Sequence, residues 1–149
     1  MEDKIIYLDN AATTIPNKEV VALYTELESN VFGNSSSVHK LGIQSLSYLT
    51  KARETILSLL KVKNHKVYFT GSSTEANNLA IKGYCYKYQE RGKHIITSKV
   101  EHASVAECFK SLENDGFKVT YINVNKDGCV NLDELKAAMN DETILVSFR

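Results

Sequence analysis

Ten residues, Phe69-Thr70-Gly71-Ser72-Ser73-Thr74-Glu75-Ala76-Asn77-Asn78, constrain this chain more than any other stretch. An apolar, β-prone segment from Lys66 to Thr70 runs through small residues into a helical pattern. That layout is a phosphate cradle. Small residues let the backbone approach an anion, and the free N–H groups of a helix start point at it. Ser72-x-x-Glu75 reads as a capping box, which sets where the helix begins. A second polar pair, Glu101-His102, follows another short apolar strand, Ile95 to Thr97. An imidazole near a phosphate site points to a phosphorylated cofactor. Taken alone, the same residues also fit a well-capped strand–helix turn and a histidine that merely opens a helix.

The periodicity along the chain alternates between strands and helices. Residues 5–14 read as an extended arm that begins with a short apolar strand. Pro16 precedes a short helix with Val20, Tyr24 and Leu27 on one face. Gly33 to Val38 is a glycine- and serine-rich loop. A long amphipathic helix is expected from about His39 to Leu60, burying Leu46, Leu49, Ile56, Leu59 and Leu60. Strand 67–70, the cradle, a helix from Glu75 to about Gln89 and strand 94–97 follow. Next come a helix from His102 to Asn114, strand 118–124, a helix from Leu132 to Met139 and strand 143–148. This order predicts an α/β fold with a mostly parallel sheet and flanking helices. Ligands of such sheets sit at the strand carboxyl ends, and the cradle and His102 both follow such ends, so they are expected to face one crevice. No composition shift marks a domain boundary after the arm.

Read together, four segments resemble the cysteine desulfurases, pyridoxal-phosphate (PLP) enzymes of the class V aminotransferase group. They are Tyr7-Leu8-Asp9-Asn10-Ala11-Ala12-Thr13-Thr14, Gly33-Asn34-Ser35-Ser36-Ser37-Val38-His39-Lys40-Leu41-Gly42, the Thr70 to Asn78 cradle, and His94-Ile95-Ile96-Thr97-Ser98-Lys99-Val100-Glu101-His102. Their order and spacing match as well as the motifs, and Gly116 to Tyr121 and Thr143 to Ser147 fit the same pattern. The resemblance implies the N-terminal portion of a PLP-dependent transferase fold type I large domain. Residues 1–15 would be an arm, and 16–149 the first part of the PLP-binding domain. It assigns Ser73 and Thr74 to the cofactor phosphate, and His102 both to stacking on the pyridine ring and to catalytic proton transfer.

The implied reaction converts L-cysteine to L-alanine and passes sulfur to an enzyme cysteine. From there it moves to an acceptor protein, an iron–sulfur scaffold or a tRNA-thiolation enzyme. Family members are homodimers. Another class V enzyme, a selenocysteine lyase or an aminotransferase, is the alternative; the Tyr7–Thr14 and Gly33–Gly42 motifs favour the desulfurase. Two departures stand out: Gly71-Ser72 replaces the usual serine-glycine order, and Ser35 replaces a proline. The lysine that binds PLP, the acid that pairs with its pyridinium nitrogen and the sulfur-accepting cysteine have no counterpart here. The 149 residues are therefore expected to be an incomplete N-terminal portion, without turnover and binding PLP weakly at most. A non-catalytic fragment is the remaining alternative.

Charge excludes some functions. Lys and Arg total 18 against 18 Asp and Glu, and no basic run occurs, so neither nucleic acid nor an anionic membrane is favoured. No apolar run is long enough to span a bilayer and no signal-peptide pattern opens the chain, so a cytoplasmic protein is expected. Cys85, Cys108 and Cys129 are odd in number and show no CxxC spacing, so they read as free thiols, the first two packed and the third in a turn. Asn123 to Glu134 nearly fits an EF-hand calcium loop. Asparagine at its first position and the strand-like Lys118 to Ile122 before it argue instead for a strand-to-helix turn capped by Asn131. No metal site is expected.

Overall fold

In the computed structural model, which describes residues 5–148, the chain divides after Tyr68 into two units. In the first, α1 (Lys18–Asn30) starts where Asn17 Oδ1 accepts the Glu19 N–H at 2.7 Å. A second helix, α2 (Lys40–Leu59), is capped by His39, whose Nδ1 accepts from Gly42 N at 3.4 Å. Gly42 and Ser45 are the buried positions of α2. Ser45 Oγ donates to Val31 O, just past the end of α1, at 3.3 Å. Gly42 permits the loop to lie on the helix: a Cβ there would stand 2.2 Å from Ser37 O and 2.6 Å from Asn34 O.

Two expectations for this unit fail. The extended arm is broken by a turn at residues 10–12, closed by Ala12 N–H on Asp9 O at 3.1 Å, and residues 5–8 form no strand. Residues 1–4 of that arm lie outside the described residues. Of the stripe expected to be buried on α2, Leu49 and Ile56 are half-buried, but Leu46, Leu59 and Leu60 are exposed. An apolar stripe is buried only against a second layer, and the described part of this unit contains two helices and no sheet.

The second unit is built on a parallel sheet of order β2-β1-β3, with β1 (His94–Ser98) between β2 (Lys118–Ile122) and β3 (Thr143–Ser147). All five residues of β1 are buried, as expected of a central parallel strand covered on both faces. The helices of this unit are α3 (Ser73–Asn77), α4 (Gly83–Tyr88), α5 (Ala103–Asn114) and α6 (Leu132–Ala138). Ile95 of β1 packs with Ile81, Cys85, Cys108, Phe109, Leu112 and Phe117. Cys85 and Cys108 are buried free thiols and Cys129 is exposed and free.

Here too the structure corrects local expectations. Residues 67–70, which straddle the boundary between the two units, are not a strand, because β-prone side chains form one only where a neighbouring strand pairs with them. The helix expected from Glu75 begins two residues earlier, at Ser73, and a π-helical segment (Asn78–Lys82) separates α3 from α4. Periodicity misses that wide turn because the buried pair Ile81 and Cys85 keeps the ordinary spacing of four. Strand β2 stops at Ile122, since the Asn123 N–H turns to Glu134 Oε2 at 3.2 Å. In the would-be calcium loop, Asn125 Oδ1 accepts from Asp127 N and Cys129 N, each at 2.9 Å, and Asn131 Oδ1 caps α6. A strand, not a helix, enters that loop.

Candidate functional site

The cradle is assembled by hydrogen bonds that its sequence only half announces. Ser72 Oγ accepts the Glu75 N–H at 3.2 Å, the expected half of a capping box. The reciprocal half is displaced: Glu75 Oε2 accepts from Gly71 N at 2.7 Å rather than from Ser72 N. Ala76 N–H bonds Ser72 O at 3.0 Å, so the ladder begins there. The N–H groups of Ser73 and Thr74 stand in the first turn, where a helix supplies no acceptor of its own. Gly71 has no positive φ, and a Cβ on it would meet only Glu75 Oε2, at 3.3 Å. The inverted glycine–serine order is therefore compatible with this turn.

His102 is the N-cap of α5. Its Nδ1 lies 3.1 Å from Ser104 N and 2.9 Å from Ser104 Oγ. Asn77 Nδ2 reaches the same Ser104 Oγ at 2.9 Å, which joins α3 to α5. One residue back, Glu101 Oε1 accepts from Ser98 Oγ at 2.6 Å, holding the loop between β1 and α5. Beneath it, Cys108 Sγ donates to Ser104 O at 3.1 Å. Burial pushes the Cys108 thiol pKa up, against a smaller opposing pull from Lys82.

These pieces share one open crevice of about 630 Å³. Ser72, Ser73 and Thr74 line it from the cradle, Glu101 and His102 from the segment after β1, and Ser147 and Phe148 from the end of β3. It lies at the carboxyl ends of β1 and β3. The chain leaves β1 toward β2 on one side and returns in β3 on the other, so this is the point where the strand order reverses. All three residues selected from the sequence, Ser73, Thr74 and His102, line this crevice. Asn77, Ser104, Ser147 and Phe148 line it too and were not selected. Ser104 had one available signal, its place two residues after a capping histidine; Asn77 had none, since only the packing of α3 against α5 makes it a neighbour.

The donor set suits a phosphate group. Ser72, Ser73 and Thr74 line the crevice at one helix start, where hydroxyl side chains accompany first-turn N–H groups that have no partner within the helix, and the crevice volume is that of a cofactor pocket. No group of three or more His, Cys, Asp or Glu side chains suited to a metal ion occurs among the described residues. No described helix is long and apolar enough to cross a membrane.

Comparison with known proteins gives consistent results. Residues 6–149 match the family model described as Aminotransferase class-V. A NifS/IcsS protein homolog of Lactobacillus delbrueckii subsp. bulgaricus is 48% identical over 143 residues, which cover 96% of this chain and 37% of that relative. The cysteine desulfurase IscS of Methanosarcina thermophila is 42% identical over 146 residues, covering 98% of this chain and 36% of its own length. Among solved structures, a NifS-like protein superposes with a TM-score of 0.89 at 34% identity, over 93% of this chain and 38% of that one. A structure described as SspA in complex with cysteine has a TM-score of 0.85 at 33% identity, over 93% and 40%. The chain thus spans a little over a third of the relatives it matches.

Proposed function

Because this chain belongs to the class V aminotransferase family, we propose that it serves a cysteine desulfurase, with its crevice as the PLP site. The reaction is conversion of L-cysteine to L-alanine with sulfur passed to an enzyme cysteine. What carries the reading is the convergence of Ser73, Thr74 and His102 on one crevice at the carboxyl ends of β1 and β3. The desulfurase names of the relatives support the reaction, and the cysteine in the description of one solved neighbour supports the substrate.

In this reading Ser73 and Thr74 bind the cofactor phosphate through their backbone N–H groups and hydroxyls. The helix dipole adds attraction for the anion. Bound there, PLP supplies an electron sink for the substrate carbon. His102 offers a flat ring to the cofactor and holds or moves a proton at Nε2, because its Nδ1 is engaged by Ser104. The sulfur acceptor is an iron–sulfur scaffold or a tRNA-thiolation enzyme, and the working enzyme is a cytoplasmic homodimer.

The test uses the intact protein isolated from its source cells. PLP binding is followed by absorbance, and alanine release from L-cysteine by chromatography. Replacement Thr74→Val removes one hydroxyl donor to a charged group and is expected to weaken PLP binding by tenfold or more, roughly the effect of losing one charge-assisted hydrogen bond. A protein that binds no PLP, or that forms no alanine from L-cysteine, overturns the reading.

A further inference from the structure

The contacts around His102 have a direction. Its Nδ1 faces the Ser104 N–H, and a backbone amide can only donate. Nδ1 of the neutral ring is therefore an acceptor, and the ring proton is on Nε2. The Ser104 hydroxyl is oriented from its other side. Asn77 Nδ2 also can only donate, so Ser104 Oγ accepts there and has its own hydrogen left for Nδ1. The result is a one-way chain of donors, Asn77 to Ser104 to His102. It starts in α3, the helix that carries the cradle, and ends at the residue that caps α5.

We propose that Asn77 and Ser104 are positioning residues that hold His102 as the Nε2–H tautomer at the crevice, and so couple the ring to the helix bearing Ser73 and Thr74. This rests on the reading of His102 as the cofactor's partner, but the coupling itself needs no cofactor. A ring held through Nδ1 by two donors has one orientation and one protonated edge. A residue that must return a proton at a fixed point needs both.

The experiment measures ring-nitrogen shifts of the intact protein labelled with ¹⁵N-histidine, at a pH where the ring is neutral. The His102 signals are assigned by their loss in His102→Gln. Expected in the native protein is a pyridine-like Nδ1 and a pyrrole-like Nε2. Ser104→Ala removes one of the two donors and is expected to lower the tautomer ratio roughly fivefold, the size of one ordinary hydrogen bond. Ser104→Thr keeps the hydroxyl and restores the ratio. Asn77→Asp is nearly isosteric, turns the serine hydroxyl toward the new acceptor and lowers the ratio at least as far. A protonated Nδ1 in the native protein, or a ratio unmoved by both Ser104→Ala and Asn77→Asp, overturns the proposal. A PLP absorbance titration on the same samples reads the desulfurase assignment separately, so failure of one is distinguishable from failure of the other.

Discussion

His94 Nε2 lies 2.8 Å from Thr120 Oγ1, so the buried ring of β1 is bonded across to β2. On its other side Nδ1 meets Thr143 Oγ1 at 2.7 Å and Asn140 Nδ2 at 3.2 Å. Asn140 donates, so Nδ1 accepts and Nε2 carries the hydrogen. Both nitrogens of the neutral ring are satisfied, and a second proton, on Nδ1, would displace the Asn140 donor and leave only the Thr143 hydroxyl to accept it. Burial lowers the pKa of this ring, the Lys118 charge lowers it further, and Glu142 opposes them weakly.

The unfolded chain therefore takes up a proton before the folded one does. Stability is full above the ordinary histidine value of about 6.5 and falls as pH drops from there toward the lower folded value. Urea midpoints measured across that window should decline with acidity, and His94→Gln should flatten the decline. An unchanged slope in the variant would assign the acid sensitivity to other groups.

Gly42→Ala sets two effects against each other. Alanine returns about 1 kcal/mol of helix propensity. Its Cβ would need Ser37 O, 2.2 Å away, to retreat, and the obstacle is backbone rather than a flexible side chain. Overpacking of this kind costs about 1–3 kcal/mol, and a main-chain obstacle puts the cost at the upper end. A net loss of about 1–2 kcal/mol is expected in denaturant titrations. A stabilised variant would mean that the loop at residues 33–38 moves away freely.

Ser72 separates capping from anion binding. Ser72→Ala removes the Oγ that accepts the Glu75 N–H and should cost about 1 kcal/mol. Ser72→Asp keeps an N-cap acceptor and hence the stability, yet places a carboxylate on the crevice. PLP affinity should then fall in the aspartate variant while its melting temperature stays near that of the native protein. Parallel losses of both quantities in the two variants would argue that the cradle acts only as a helix cap.

The three thiols should react in sequence. Cys129 is exposed, whereas Cys85 and Cys108 are buried. Burial pushes the Cys85 pKa up to about 11, and it raises that of Cys108. The thiolate is the reactive form, so iodoacetamide near pH 8 should modify Cys129 first and the other two only on unfolding. Mass spectrometry of the alkylated protein would count them. Early labelling of Cys85 or Cys108 would reveal local opening of the packed core around Ile95.

The alternation of apolar and helical segments was enough to predict a parallel α/β sheet, because the strand run His94 to Ser98 and the helix Ala103 to Asn114 each carry their own periodicity and cap. The capped helix start at Ser72 was legible for the same reason. Ser72, Ser73 and Thr74 act within one turn of chain, and a capping serine declares a helix start locally. The Glu75 contact with Gly71 and the exposed face of α2 were not legible. The first depends on a single side-chain torsion, and the second on which surfaces lie nearby.

The sequence by itself determined the alternation of helices and strands, the caps at Ser72 and Asn131 and the family the motifs resemble, since all of these are set by neighbours within a few residues. Only the tertiary structure decided that Asn77 meets Ser104, that His94 bridges to Thr120, and that Ser147 joins His102 at one crevice. Those contacts join residues 26 to 45 positions apart, and they exist because the parallel sheet and the packing of α3 on α5 bring together groups that nothing in the local chain relates.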